Sequence, residues 1–575
     1  MKNKRKHPEK ISIGIVVNFQ IDPNSIELSQ KDLKKIYLEL EKIKTEEFNS
    51  YESIQLDIDY APTDKVDMVR GLLAYLDSIK LQTLVKRFVE QDKLNIIDAY
   101  NQGVAVYTKE YPIAFDSRNK IDTSDVYQRI DEIRKRIIIR LELYFLQKLM
   151  KKCRSNFILC VDEFKKEYLY NLPRKIQGVI FKHTSDRDLV RTLSSGLDLT
   201  IMISKESYQD NDLVVLDGPN NRIVSKPGKD EILEYKEQIS QYTYTIGEQP
   251  SYADSKINLY VPLADTRLIE KAAYGDWYNG VAPFKTEYMY VTKGTIPTQE
   301  ELEAVFLELL NGFEEKDVYI RIPDFRPTRP TPFLGEIFTD KDAYMKFFEV
   351  YNVNLLALAS AVKKTKKEVN VVIPMIRLSS EVSFWRDIVE ATFDMYDLPY
   401  AKLGIMIETE SAFEYYEDYD DMDFVIIGLN DLVEELTDDV DRFTDLSKDE
   451  MLEIFWPELR DLHQYLRSYK LQVKHIVAGN CLKNPEIFNK FLKSGFTDFS
   501  IPINDIKLIE KTLTDHVESR GKFIGVAAYR IEKKADFESQ KAQKEAEEAQ
   551  AIVDKANDKA DKLAKKQQEI RDKNK

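Results

Sequence analysis

Residues 402–432, KLGIMIETESAFEYYEDYDDMDFVIIGLNDL, hold two apolar runs that each close on carboxylates, and they restrict the fold more than any other stretch. LGIMIE closes on Glu408, and DFVIIGLND closes on Asn430 and Asp431. Runs that are apolar on both faces and separated by a helix-length segment are what buried parallel strands of an α/β sheet or barrel look like. Chemistry in such folds collects at the strand ends, which gives the two acids two readings. As a pair they could share a hard cation such as Mg²⁺, which takes one or two protein carboxylates and fills its octahedron with water or ligand oxygens. Separately, each could satisfy free N–H groups at the start of the helix that follows. Spacing alone leaves both open.

The same alternation extends on either side. INLYVPL, GVAPF, VYIRIP, VNVVIPMI, LGIMIE, DFVIIG, KHIVAG and TDFSIP are strand candidates, each followed by a helical segment such as QEELEAVFLELLNGF. Such a series between residues 257 and 537 has the number of units and the length of a (β/α)₈ barrel. Residues 538–575, rich in Ala, Glu, Lys and Gln, form a helix-prone or disordered tail, too poor in large apolar residues for a coiled coil.

The front half reads differently. SIGIVV at 12–17 is a lone strand, after which residues 25–149 carry amphipathic helical segments such as LKKIYLELEKIKTEEF, DMVRGLLAYLDSI and DVYQRIDEIRKRIIIRLELYFLQKL, enough for four or five helices. Apolar stripes on so many helices are mutual core, so no site is placed inside this unit. Strands return with FILCV, GVIFK, TIMIS, LVVLD and RIVSKP. The pattern implies one α/β domain, 1–24 and 150–245, interrupted by a helical insertion at 25–149. Residues 246–256, polar with Gly and Pro, read as a linker to the barrel.

Bulk properties exclude several classes. A net charge of −15 over 575 residues argues against nucleic acid as partner. No apolar run approaches the roughly 20 residues that span a bilayer, and MKNKRKHPEK leads into no hydrophobic region, so no membrane association and a cytoplasmic location are expected. Cys153, Cys160 and Cys481 offer neither a disulfide framework nor zinc-ligand spacing and read as structural thiols.

The layout and several ordered motifs resemble enzyme I of the bacterial sugar phosphotransferase system, the phosphoenolpyruvate-protein phosphotransferases. GVAPFKTEYMY at 280–290 is similar to the family's segment ending in Arg-Thr-Glu. TPFLGE at 331–336 resembles Asn-Pro-Phe-Leu-Gly, IPMI at 373–376 Phe-Pro-Met-Ile, IMIETESA at 405–412 the Val-Glu-Thr-Pro segment, and IIGLNDL at 426–432 Ile-Gly-Thr-Asn-Asp-Leu. The resemblance implies a barrel that binds phosphoenolpyruvate and Mg²⁺, and a histidine on a swivelling α/β domain that accepts the phosphoryl group. It implies also a histidine-containing phosphocarrier protein docked on the helical insertion, and a homodimer formed through the barrel. Glu408 and Asp431 then match the metal-binding acids, which tips their reading toward metal. Arg321 matches a phosphate-binding arginine, Asn430 a substrate-contacting asparagine, Lys285 the arginine of Arg-Thr-Glu and, with one inserted residue, Arg442 a further arginine.

Departures from the pattern are equally informative. Lys285 keeps charge but loses the guanidinium fork. Ile337 stands where the family places another arginine, and IPDFRPTRP replaces a glycine-rich segment, with Arg326 or Arg329 able to supply charge from a new direction. Gly479 stands at the position of the family's catalytic cysteine, with Cys481 two residues on read as a buried structural thiol. An ungapped match places Leu189 at the phosphohistidine. His183 in KHTS mimics the end of that motif but lacks its glycines. No catalytic residue is therefore assigned. The expectation is a diverged relative that keeps a Mg²⁺ site, binds phosphoenolpyruvate weakly and acts by ligand or partner binding. The alternatives are an active phosphotransferase using His183 and a Mg²⁺-dependent keto-acid lyase-like barrel enzyme.

Overall fold

The computed structural model describes residues 10–19, 30–55, 63–113, 123–241, 256–269, 272, 278–294, 296–325, 348–399, 401–419, 421–436, 448–468 and 473–516. The described residues up to Leu508 form one compact unit, and the helical residues 509–516 belong to a second. TPFLGE, Arg326, Arg329, Ile337, Arg442, the linker but for Lys256, and the 538–575 tail lie outside the described residues.

Six strands make the front sheet. These are β1 (Ile11–Phe19), β2 (Phe157–Glu163), β3 (Ile176–His183), β4 (Thr200–Ile203), β5 (Leu213–Asp217) and β6 (Arg222–Ser225), in the order β4-β3-β2-β1-β5-β6. The first strand pairs in parallel with β2, Ile15 opposite Phe157, although about 140 residues separate them in sequence. Strand β5 pairs antiparallel to β1, and β6 to β5. Among the described residues between β1 and β2 stand five helices: α1 (Gln30–Gln55), α2 (Thr63–Leu76), α3 (Ile79–Glu90), α4 (Ile96–Glu110) and α5 (Thr123–Lys152). They share one apolar core built from Leu40, Leu72, Val85, Tyr100, Ile137 and their neighbours. DMVRGLLAYLDSI reads as one helix, but the chain breaks it at Asp77 and Ser78, because the Ser78 side chain accepts from Lys80 N–H and opens α3.

Helices α6 (Arg187–Gly196) and α7 (Lys229–Ser240) complete the front sheet's surroundings. The eight predicted barrel strands are β7 (Asn258–Leu263), β8 (Gly280–Lys285), β9 (Asp317–Arg321), β10 (Asn370–Ile373), β11 (Lys402–Ile407), β12 (Phe424–Gly428), β13 (Lys474–Ala478) and β14 (Asp498–Ser500). They close in chain order with every neighbouring pair parallel, β14 against β7. Tyr260, Tyr319, Val372, Met406, Phe424, Ile426 and Ile476 fill the interior. The outer helices include α8 (Glu287–Lys293), α9 (Gln299–Gly312), α10 (Phe348–Thr365), α11 (Ser380–Asp394), α12 (Glu410–Glu414), α13 (Leu429–Leu436), α14 (Lys448–Ser468) and α15 (Pro485–Lys493). A parallel barrel exposes the carboxyl ends of all its strands on one rim, and that rim is where the acids stand.

Candidate metal centre

Glu408 is the residue after β11, and it is fully buried. Its Oε1 accepts from the N–H of Met375, at 3.0 Å. That donor is aimed by an unusual backbone: Met375 has φ 55°, a left-handed conformation that costs a side-chain-bearing residue free energy and recurs at functional sites. Gly428, ending the neighbouring β12, leaves room for the carboxylate. A Cβ there would lie 2.7 Å from Glu408 Oε2. Capping is not Glu408's role, because Thr409 opens α12: its hydroxyl accepts from Ala412 N–H at 3.1 Å and donates to Ile376 O at 2.6 Å.

Asp431 lies in the first turn of α13, straight after β12. One further acid joins them. Asp324, three residues beyond β9, is buried, and one carboxylate oxygen from each of Asp324, Glu408 and Asp431 lies within 4.8 Å of the others. Among the described residues this is the one group of His, Cys, Asp or Glu side chains with the spacing to hold a metal ion. The donor set is all carboxylate oxygen, which suits a hard divalent cation such as Mg²⁺ or Mn²⁺ rather than a thiophilic one.

Arg321 sets the other half of the electrostatics. It ends β9, is almost wholly buried, and its guanidinium pairs with the buried Glu287 and lies 3.6 Å from Asp324. It also reaches the Met406 sulfur at 3.5 Å, across the barrel mouth. The predicted phosphate clamp is thus already engaged by two carboxylates. Lys285 sits opposite Arg321 in the β8–β9 register and is half-buried. Thr286 between them donates its hydroxyl to Arg321 O at 2.7 Å, fixing the two strand ends together. Asn430 turns its side-chain carbonyl toward β13, accepting from Asn480 N–H at 2.9 Å.

Sequence reasoning missed Asp324, Glu287, Gly428 and Met375. Asp324 had a legible signal: like Glu408 and Asp431, it is an acid just past an apolar strand, in IPDF. Gly428 and Met375 act through backbone geometry, which no residue type announces.

At the position of the thiol, the structure gives a physical reason for glycine. A Cβ on Gly479 would lie 2.8 Å from Leu429 Cβ, and Leu429 is itself buried. Cys481, expected to be buried, is half-buried in the 3₁₀ turn Asn480–Lys483. The turn lifts it off the strand, which is why burial stops short.

The candidate acceptors in the front domain stand apart in character. His183 ends β3 and is exposed. Leu189 is buried in α6, in the apolar cluster that also holds Phe181, Leu193 and Leu197. Its N–H donates to Asp186 Oδ1 at 2.8 Å, so a carboxylate already occupies the start of that helix.

Comparison with known proteins bears on this geometry. Residues 246–517, which include all the described barrel strands and the acidic centre, match the family model described as PEP-utilising enzyme, PEP-binding domain. Over these residues, just under half of its length, the chain is similar to enzyme I. A phosphoenolpyruvate-protein phosphotransferase of Listeria monocytogenes is 25% identical over 253 residues, covering 40% of this chain and 43% of that one. One from Staphylococcus aureus is 22% identical over 277 residues, 42% and 46% of the two chains. Another, from Buchnera aphidicola, is 25% identical over 353 residues, 55% and 58%. The match to the first of these enzyme I relatives spans less than half of its length. An NMR structure titled Enzyme I (nEIt) covers 42% of this chain and 99% of its own at 13% identity, with a TM-score of 0.23. Among the described residues no helix is long and apolar enough to cross a membrane.

Proposed function

We propose that this chain is an enzyme I-type barrel that binds a divalent cation and an anionic ligand of the phosphoenolpyruvate kind but does not phosphorylate itself on histidine. It works by binding a ligand or a partner. The observation that carries the reading is a contrast within one chain: three buried carboxylates gathered at the barrel rim, and a buried leucine where the resemblance puts the acceptor histidine.

Asp324, Glu408 and Asp431 would hold Mg²⁺, whose charge would draw phosphate or carboxylate oxygens. Arg321 and Lys285 supply the cationic side. Arg321 is shared with Glu287 and Asp324, so phosphoenolpyruvate binds weakly. Phosphoryl transfer of this type asks a protein for an in-line nucleophile, a metal and cationic clamps, and better clamps cannot replace a missing nucleophile. In this reading the cytoplasmic protein dimerises through its barrel, and a histidine-containing phosphocarrier protein is the partner expected on α1–α5.

Incubation with phosphoenolpyruvate carrying labelled phosphate, with and without Mg²⁺, tests it. The expected result is no acid-labile, alkali-stable label while Mn²⁺ titration by electron paramagnetic resonance shows a bound ion. Label that disappears in His183→Ala would put an active phosphotransferase in its place. Failure of Mn²⁺ to bind would remove the metal from the reading.

A further inference from the structure

We infer that Asp324 couples the two halves of the rim site: a cation held by the acids draws its carboxylate away from Arg321, and Arg321 is thereby released to the anionic ligand. Resting on the function proposed above, this coupling adds an order to it, cation before anion.

Asp324 belongs to two sets of charges at once. One of its oxygens lies within 4.8 Å of oxygens of Glu408 and Asp431, and its Oδ2 lies 3.6 Å from the Arg321 guanidinium. Both side chains of the ion pair are 2% exposed, so little water screens what one set does to the other.

The two carboxylates beside Arg321 are held differently. Glu287 is hydrogen-bonded to the guanidinium and is not a member of the acid group. Asp324 stands beyond the about 2.7–2.9 Å of a charge-assisted hydrogen bond, and charge rather than a hydrogen bond holds it to Arg321. Glu287 is therefore the anchor, and Asp324 is the partner that can be exchanged.

The backbone leaves that exchange to the side chains. Arg321 lies opposite Val372 of β10 and Lys285 of β8, and its carbonyl accepts from the Thr286 hydroxyl at 2.7 Å. Ile322 N–H carries the ladder one residue further, donating to Val372 O at 3.0 Å. Pro323 has no N–H to continue it, and Asp324 comes straight after, on backbone that no longer belongs to the sheet.

A carboxylate set between two cations divides its attraction between them. Positive charge at the acids weakens the hold of Asp324 on Arg321, and a guanidinium carries five N–H donors, enough to stay on Glu287 and also meet phosphate or carboxylate oxygens. Linkage makes the effect reciprocal: the factor by which the cation tightens the anion is the factor by which the anion tightens the cation.

Calorimetry with phosphoenolpyruvate, without Mg²⁺ and with saturating Mg²⁺, on the parent, Asp324→Asn and Asp431→Asn reads the coupling. Mn²⁺ titration by electron paramagnetic resonance shows in each chain whether an ion binds, and circular dichroism melts show that each is folded. In the parent, Mg²⁺ should tighten phosphoenolpyruvate about tenfold, within the usual range for coupled sites. Asp324→Asn should bind it about tenfold tighter than the parent without Mg²⁺ and gain less than about threefold from the ion, because Arg321 is already released. Asp431→Asn takes the same charge from the acid group but leaves the Arg321–Asp324 pair in place, so its affinity without Mg²⁺ should stay within about twofold of the parent's. Equal tightening in the two variants would reduce the effect to total charge and overturn the inference while leaving the proposed function standing. No tightening in Asp324→Asn would do the same. The unmodified chain gives a readout that survives a variant's failure to fold: an affinity that Mg²⁺ does not change would overturn the coupling. A parent that binds no Mn²⁺, or no phosphoenolpyruvate, would overturn the proposed function and the coupling with it.

Discussion

Two regions of this molecule should, by resemblance, cooperate in one reaction, and they differ in kind. At the barrel rim, β9, β11 and β12 deliver Asp324, Glu408 and Asp431 into one buried group, with Arg321 beside them. At the end of β3, the chain delivers an exposed His183, a carboxylate-capped helix and a leucine in the core. Under the function proposed above, the charge gathered at the rim is useful alone, because binding an ion asks for no acceptor. The contrast is sharpened by Gly479, whose neighbour Leu429 fills the space a thiol there would need.

The largest effect is expected at Arg321. Removing it strands Glu287 and Asp324 as buried carboxylates without their guanidinium, so Arg321→Ala should lose about 3–5 kcal/mol of unfolding free energy in urea. Weak phosphoenolpyruvate binding should vanish with it by calorimetry. A variant as stable as the parent, with unchanged affinity, would mean that Arg321 belongs to neither the acid group nor the ligand site.

Next in size is the apolar side of the contrast. Leu189→Ala should cost about 2–4 kcal/mol, as for other buried leucines, and Leu189→His should be destabilised too and remain unlabelled by labelled phosphoenolpyruvate. Labelling of Leu189→His would show that the position still reaches the barrel site and that only the side chain was lost.

A smaller effect concerns the metal. Mg²⁺ at about 100 times its dissociation constant stabilises a folded protein by about 2.7 kcal/mol, and thermal melts should show that shift in the parent, reduced in Asp324→Asn and absent in Asp431→Ala. An undiminished shift in Asp431→Ala would return Asp431 to a helix-start role.

The smallest lies away from the rim and calibrates the others. His463 of α14 and His475 of β13 are hydrogen-bonded at 2.8 Å, with His463 stacked on Phe496. Burial first, then His475 and Arg467, push His463 down to about 4. Burial lowers His475 as well, against opposing pulls from the Val473 carbonyl and then Asp498. Because the unfolded chain takes up these protons near pH 6.5 and the folded one does not, stability is full above that value and falls as pH drops toward 4. A loss of unfolding free energy over this window is expected, and His463→Gln should flatten the profile. An identical profile in the variant would place the acid sensitivity elsewhere.

Much of this protein is determined by local pattern. Parallel strands buried on both faces must be written as apolar runs, so all eight barrel strands could be read from residue types alone, and the six front strands, of which β5 and β6 run antiparallel, stood out as short apolar or β-branched runs between turn residues. The break between β1 and β2 was legible because helical and strand periods differ. Glu408 and Asp431 could be singled out because an acid at the end of an apolar run is conspicuous. Tertiary structure decided the rest. Asp324 joins the acids only when β9 closes against β10 on one side of the barrel and Glu408 arrives from β11. Thr409, not Glu408, caps α12 because of a backbone direction. Arg321 is paired rather than open because Glu287 comes round from α8. Such outcomes depend on which strand ends meet, and on where the buried charges find partners once water has left, so no single stretch of sequence contains them.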